Sequence, residues 1–556
     1  MVKNSQSIMS LINSSTNQFI VPIFQRTYKW DHADGKYFFN TILEDKFPYV
    51  SEVKIYPNTL DDSIYGQSLI IDGQQRITTY SLLVLAICAF CKSHKLDYNW
   101  EEDLYYRIIV NRRFEGIERY RLKLQETDNP SFQKCVDNLI SPNFQLRFDS
   151  KEYGCSNILP MYNYFIGLID PSNIGVLYKQ AQTVSVMYSE LEPKDNLRRI
   201  FYASNNAGKD LTMYENVKSI LIYGYSKEDE AQNRIYHKYW KPIEEYFLKI
   251  NKPALFNVFL SSFVQYKTND FRRHSFIYFS NLQDSPSNCE ETLKELYEYF
   301  DMFFCIYNAD FEDEEVNQIL KFLNPYLSSF LFTVLIKVIE CSDEDIVSNL
   351  RLIETHIFRN SLTNSDSSDT IRNVFNLNSF DYVWNLTEEL FNQIKYSDFY
   401  VDDSTFKKSF LEHNYTDESK NQRKQREVLI RIVQEDSGEE DFNYYNTSLE
   451  HIIPRKPKEL PKDIDVQEYL RNLHTFKNVT LLPRKYNSKL SNKTFREKRD
   501  MEKGFKDSKM EINRKLSKYE TFGLKEMEEW GNYLFKKALK IWAFPSKQQT
   551  TLFEVL

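Results

Sequence analysis

The chain has 556 residues, of which 42% are hydrophobic and 27% charged, with 13 Gly and 17 Pro. That length exceeds what one core usually holds, and the composition excludes a disordered, collagen-like or linker-dominated chain. The net charge of −8 excludes a uniformly basic nucleic-acid coat, yet residues 451–520 carry nineteen Lys and Arg against ten Asp and Glu. A basic island on an acidic protein is how a local polyanion site reads, because only the contacting surface has to displace phosphate counterions.

Three regions follow in chain order. Residues 1–235 mix helical stretches with the strand-like FIVPIF (19–24), YVSEVKIY (49–56), SLIIDG (68–73) and YYRIIV (105–110). The apolar run SLLVLAICAFC (81–91) predicts a buried helix, too short to span a bilayer. Its Cys88 and Cys91 read as core, since neither a second cysteine pair nor a suitably spaced His accompanies them. Seven scattered cysteines and no apolar leader predict a reducing, cytoplasmic setting with no disulfide framework and no membrane partner. Residues 236–410 carry apolar side chains at three-to-four spacing and predict a mostly helical connecting region. Residues 411–556 open on a basic helix (420–433) and an acidic loop (434–442), then reach the basic island. The fold class expected is α+β.

In that island, TSLEHIIPRK (447–456) ends a short β-prone run on Glu450 and His451, with Pro454 closing it. Asn478 opens a second apolar run, Asn487 follows nine residues later, and a helix-prone segment comes next. Strand, loop, strand and helix, with His at the end of the first strand, is the ββα-metal or HNH nuclease order. Phosphodiester cleavage needs an activated water, charge neutralisation on the phosphate and a stabilised leaving oxygen. A neutral imidazole suits the first task, so His451 is the expected general base. Glu450 and Asn487 are the expected oxygen ligands of one hard divalent ion, Mg²⁺ or Mn²⁺. Asn478 is better suited to hold the loop and His451 than to touch metal. Arg484, Lys485, Lys489, Lys493 and Lys498 are the expected DNA contacts.

Near the other end, Gln25 and Arg26 follow an extended Pro-containing segment. Asp72, Gly73, Gln74, Gln75 and Arg76 form a turn between an apolar strand and the apolar helix. Such a turn aims backbone N–H donors at an anion, and the Arg residues offer forked donors to phosphate oxygens. Asp72 suits a metal or a water. The competing reading is a plain helix cap with Arg–carboxylate pairs.

Together these motifs resemble the GmrSD-type modification-dependent (type IV) restriction endonucleases. Glu450, His451, Ile452 and Pro454, then Asn478, Thr480 and Leu481, Asn487 and Asn492, and Phe495 and Lys498 match the C-terminal pattern, with Lys477 in place of its usual Gly. PIFQRTYKW (22–30) and IDGQQRITT (71–79) resemble the two N-terminal signatures. Phe201, Asn205, Gly208, Leu211 and Lys218 match a third, with Glu215 for Asp and Ser204 for Leu. The resemblance implies a ParB/sulfiredoxin-like N-terminal module that binds and hydrolyses a nucleoside triphosphate (GTP, UTP, CTP or ATP) through Gln25, Arg26 and Asp72–Arg76. It also implies sensing of modified phage DNA and cleavage by a C-terminal HNH module; one such centre cuts one strand, so a double-strand break needs a homodimer or two successive events. Two other readings fit: a nucleotide-binding DNA-binding regulator with an inactive nuclease module, against which the intact Glu450, His451, Asn478 and Asn487 set argues, and a toxin-like nuclease on unmodified DNA or on RNA.

Overall fold

A computed structural model describes residues 2–13, 18–58, 66–154, 156–192, 195, 200, 211–223, 229–282, 286–342, 345–363, 365, 367–380, 385–415, 418–437, 446–485 and 492–545. The chain is mixed α and β, with helix predominating, and divides into two compact units. One comprises Met1–Asn257 and Phe276–Tyr297, the other Val258–Ser275 and Glu298–Leu556.

The first unit is built on a mixed six-stranded sheet. Its strands are β1 (Val2–Ser7), β2 (Gln18–Ile20), β3 (Tyr49–Asn58), β4 (Gln67–Asp72), β5 (Leu122–Lys123) and β6 (Ser185–Glu190), in the order β1-β6-β3-β4-β2-β5. β3 runs antiparallel to β4 and parallel to β6, while β2 lies parallel to β4 and β5. β2 is short because Pro22 has no N–H for a ladder; the last bond on this edge is Val21 N–H to Lys123 O at 2.9 Å.

Sharing one core with the sheet is α3 (Gln74–Ser93), which follows α1 (Ile8–Asn13) and α2 (His32–Glu44) in the chain. Ile77 through Cys91 are all buried, so α3 is the all-round apolar helix its sequence predicts. It is long and apolar enough to cross a membrane, but 83% of that window is buried inside the protein, as in a core helix. Burial raises the Cys88 and Cys91 thiols, Cys91 to about 12, and both are free, which fits the core reading.

Residues 105–109 of the expected strand at 105–110 instead end a π-helical stretch, Glu101–Ile109, and only the next residue, Val110, makes a bridge, to Tyr120. Leu104, Tyr105, Ile108 and Ile109 are buried and the stretch packs on α3. Packing on that helix outweighs the β-propensity of these residues.

The second unit is helical around one hairpin. Ile346–Ser361 (α4) carries a buried face on which Glu354 pairs with Arg431 at 3.1 Å and accepts the Trp542 indole N–H at 3.1 Å. Ser419–Ser437 (α5) contributes Arg431. His356, fully buried on α4, donates from Nε2 to Thr370 O at 2.9 Å.

Burial pushes the His356 pKa down to about 4. The unfolded chain therefore binds this proton below about 6.5 while the folded chain does not until about 4, so stability is lost as pH falls through that window. Urea unfolding between pH 6.5 and 4 should show wild type losing roughly 3 kcal/mol more than His356→Leu.

Candidate functional site

The hairpin of the second unit pairs β7 (Thr447–His451) antiparallel with β8 (Val479–Pro483), placing Glu450 opposite Thr480 and His451 opposite Val479. Successive side chains point to opposite faces, so Glu450 and His451 leave the strand end on different sides. After β8 come the short α6 (Phe495–Asp500), α7 (Glu511–Leu516) and α8 (Leu524–Ile541). Helix α6 starts on a Thr494–Glu497 capping box and stops at Asp500.

The hairpin is tied to these helices by side chains. Thr480 donates to Asn513 Oδ1 at 2.7 Å, Asn513 Nδ2 donates to Leu481 O at 2.7 Å, and the Trp530 indole donates to Val479 O at 3.1 Å. Lys477, where the family pattern has Gly, is buried and pairs with Glu528.

Asn478 is fully buried and holds the loop that follows His451. Its Oδ1 accepts Ile453 N–H at 2.8 Å, its Nδ2 donates to Ile453 O at 3.0 Å and Leu473 O at 3.2 Å, and its carbonyl accepts Ile452 N–H at 2.9 Å. His451 is 7% exposed, and its Nε2 lies 3.1 Å from Nδ1 of His474. Burial, then the charge of Arg455, then His474 and Lys498, push its pKa down to about 3, so the ring is neutral across the physiological range.

Lys498 does not lie where DNA would meet it. It is 0% exposed, 2.5 Å from Glu450 Oε1, and donates to His451 O at 2.6 Å. The expectation of a phosphate contact is corrected: a wholly buried ammonium is a local counter-charge for Glu450. Burial raises the Glu450 pKa and lowers that of Lys498, and their mutual attraction offsets part of each shift. Arg484 and Lys485 are exposed and Lys493 is half-buried. Asn487 and Lys489 lie outside the described residues.

Among the described residues no group of three His, Cys, Asp or Glu side chains gathers as a metal site, and of the two expected oxygen ligands only Glu450 is described, buried against Lys498. Glu450 brings a carboxylate already held by hydrogen-bonded structure, and a hard divalent ion needs few protein oxygens because waters and phosphate oxygens complete its shell. Glu450 would hold the ion, with Asn487 as the second expected oxygen.

In the first unit, β4 runs into α3 through Gly73, whose φ is 92°. A Cβ there would sit 2.8 Å from Val53 Cγ2 and 3.1 Å from Glu52 O, so only Gly fits. Gly73→Ala should cost about 2 kcal/mol or more in urea unfolding, from the left-handed backbone and that clash.

Asp72 makes no cap bond to α3; it meets Lys54 at 3.5 Å and Arg76 at 3.9 Å, and Arg76 donates to Glu52 O at 2.7 Å. Both parts of the competing reading are thus distinguished: the cap is missing, the Arg–carboxylate pair is present. Gln25, Gln74 and Gln75 are buried and bound to backbone. Gln25 donates to Ile70 O and Ile71 O, Gln74 to Arg26 O at 3.0 Å, and Gln75 to Thr27 O at 3.2 Å while accepting Lys29 N–H at 2.8 Å. These three amides hold the 25–29 loop over the helix start, leaving Arg26 and Arg76 as the partly exposed side chains that could meet an anion and Asp72, also partly exposed, as the one that could meet a metal or a water.

Of the third motif, Phe201, Ser204, Asn205 and Gly208 lie outside the described residues. Lys218 is buried, paired with Glu244 at 3.0 Å, and Glu215 accepts Thr212 N–H at 2.8 Å. His474, Lys54 and Glu52 were missed by motif reading, since each gains its place only when separate strands and loops come together.

Residues 8–222 match the family model of the GmrSD restriction endonuclease N-terminal domain, and residues 400–537 that of the GmrSD restriction endonucleases C-terminal domain. The two matches together span more than half the chain. No curated protein matches it. The turn-bearing sheet unit and the hairpin unit are therefore parts of a restriction endonuclease, a nuclease whose substrate is DNA. The chain belongs to the GmrSD restriction endonuclease family.

Proposed function

We propose that this chain cuts modified phage DNA through an HNH centre in its second unit, under control of a ParB-like, triphosphate-hydrolysing first unit. The observation that carries the reading is His451: a neutral, buried imidazole at a strand end, beside Glu450, on a loop fixed by Asn478. His451 takes the proton of the attacking water, and the approaching phosphodiester's negative charge raises the ring's affinity for that proton. Glu450 and Asn487 would hold Mg²⁺ or Mn²⁺, which supplies charge neutralisation at the phosphate and the leaving oxygen. Arg484, Lys485, Lys489 and Lys493 set the DNA backbone in place. In the first unit, Arg26, Arg76 and the α3 N-terminus receive the triphosphate, Asp72 would hold its metal ion or orient a water, and Gln25, Gln74 and Gln75 shape the cradle. One such centre breaks one strand, so a double-strand break takes a homodimer or two events.

Digestion of glucosylated, hydroxymethylated, phosphorothioated and plain DNA, with and without GTP, UTP, CTP or ATP, tests it. A modified substrate should be cut at least about tenfold faster than plain DNA, with one triphosphate stimulating. Equal rates on all four would end the sensing role.

A further inference from the structure

We infer that His474 is a positioning residue for cleavage: its Nδ1 accepts the Nε2 proton of His451 and so fixes the ring with Nδ1 turned to water. The inference rests on the reading of His451 as the base. The two nitrogens are 3.1 Å apart and the rings stand 86° to each other, as a nitrogen-to-nitrogen hydrogen bond between edges allows.

Two neutral imidazoles at this distance share one proton, and only one arrangement supports chemistry. If His451 donates from Nε2, its Nδ1 keeps a lone pair; if His474 donates instead, the only hydrogen of neutral His451 sits on Nδ1 and that nitrogen cannot accept one. Among the described residues, no hydrogen-bond partner meets His451 Nδ1. As His451 takes up a proton from water it becomes an imidazolium whose Nε2–H already has an acceptor, the role an orienting third group plays behind a base.

The chain around His474 is built to hold it. Its carbonyl accepts Gln425 Nε2 at 2.8 Å and Tyr415 N–H at 3.2 Å, and Phe476 stacks on Phe410 with ring centroids 4.3 Å apart. Asn478 bonds both Ile453, two residues past His451, and Leu473, just before His474. One amide therefore sets the spacing of both rings.

The test compares full-length His474→Ala and His474→Asn, whose Oδ1 replaces Nδ1, in single-turnover plasmid nicking and DNA binding. His474→Ala should lose about tenfold to a hundredfold in cleavage with binding kept, the scale for removing a partner that orients a reacting group, and His474→Asn should recover most of it. In ¹⁵N-histidine-labelled wild type, His451 should carry its proton on Nε2 and show a coupling across the bond to His474 Nδ1. A proton on His474 Nδ1 directed at His451, or wild-type cleavage by His474→Ala while His451→Ala is inactive, overturns the inference. Undiminished cleavage by His451→Ala would instead remove the base, and this role with it.

Discussion

His451→Ala should nick DNA about a thousandfold more slowly than wild type while binding it equally well, since a positioned base contributes 10²–10⁴. The reason lies in what the substitution leaves behind. His451 is neutral, so its removal strands no buried charge. Asn478 grips the backbone of Ile452 and Ile453 rather than the ring, so the loop keeps its course. Lys498 still has the carboxylate of Glu450 and the carbonyl of residue 451. The loss therefore falls on the chemical step. Single-turnover nicking beside fluorescence-anisotropy binding measures it, and cleavage within tenfold of wild type would remove the imidazole from the reaction.

Local chemistry was readable in the sequence wherever a backbone constraint or an alternation marks it. Asp72–Gly73 betrays the strand-to-helix turn because only Gly reaches φ near 92° beside Val53. TSLEH and VTLLP mark two short strands, and the hairpin pairs them residue by residue. The buried helix from Gln74 to Ser93 is legible from its unbroken apolar run.

What stayed hidden depends on distant partners. The order β1-β6-β3-β4-β2-β5 joins residues 2–7 to 185–190, a pairing that no local pattern encodes. Gln25, Gln74 and Gln75 read as ligand groups because exposed amides bind phosphate, yet buried amides must satisfy themselves, and here they do so on the 25–29 loop and β4. Lys498 reads as a DNA contact within a basic island, although its spacing of three from buried Phe495 puts both on one helix face. His474 sits in NLHTF with no motif around it, and only the crossing of that turn with the end of β7 brings it to His451.

The Lys498–Glu450 pair gives the largest expected change in stability. Removing one member of a buried pair leaves the other charged in a low-dielectric site, at a cost of about 3–5 kcal/mol, whereas replacing both by neutral groups is often close to neutral. Lys498→Met should accordingly lose about 3–5 kcal/mol in urea unfolding, and Lys498→Met with Glu450→Gln should recover most of that loss. The pair also reports on the ion. An ion held at Glu450, as proposed, would restore a positive neighbour to the stranded carboxylate, so millimolar Mg²⁺ should raise the stability of Lys498→Met well above its effect on the double variant, which has no carboxylate to offer. Both variants should cleave poorly, because the ammonium that ties residue 451 to α6 is gone from each. A single variant within about 1 kcal/mol of wild type would deny the buried pair its structural role, and an equal Mg²⁺ response in the single and double variants would take the ion away from Glu450.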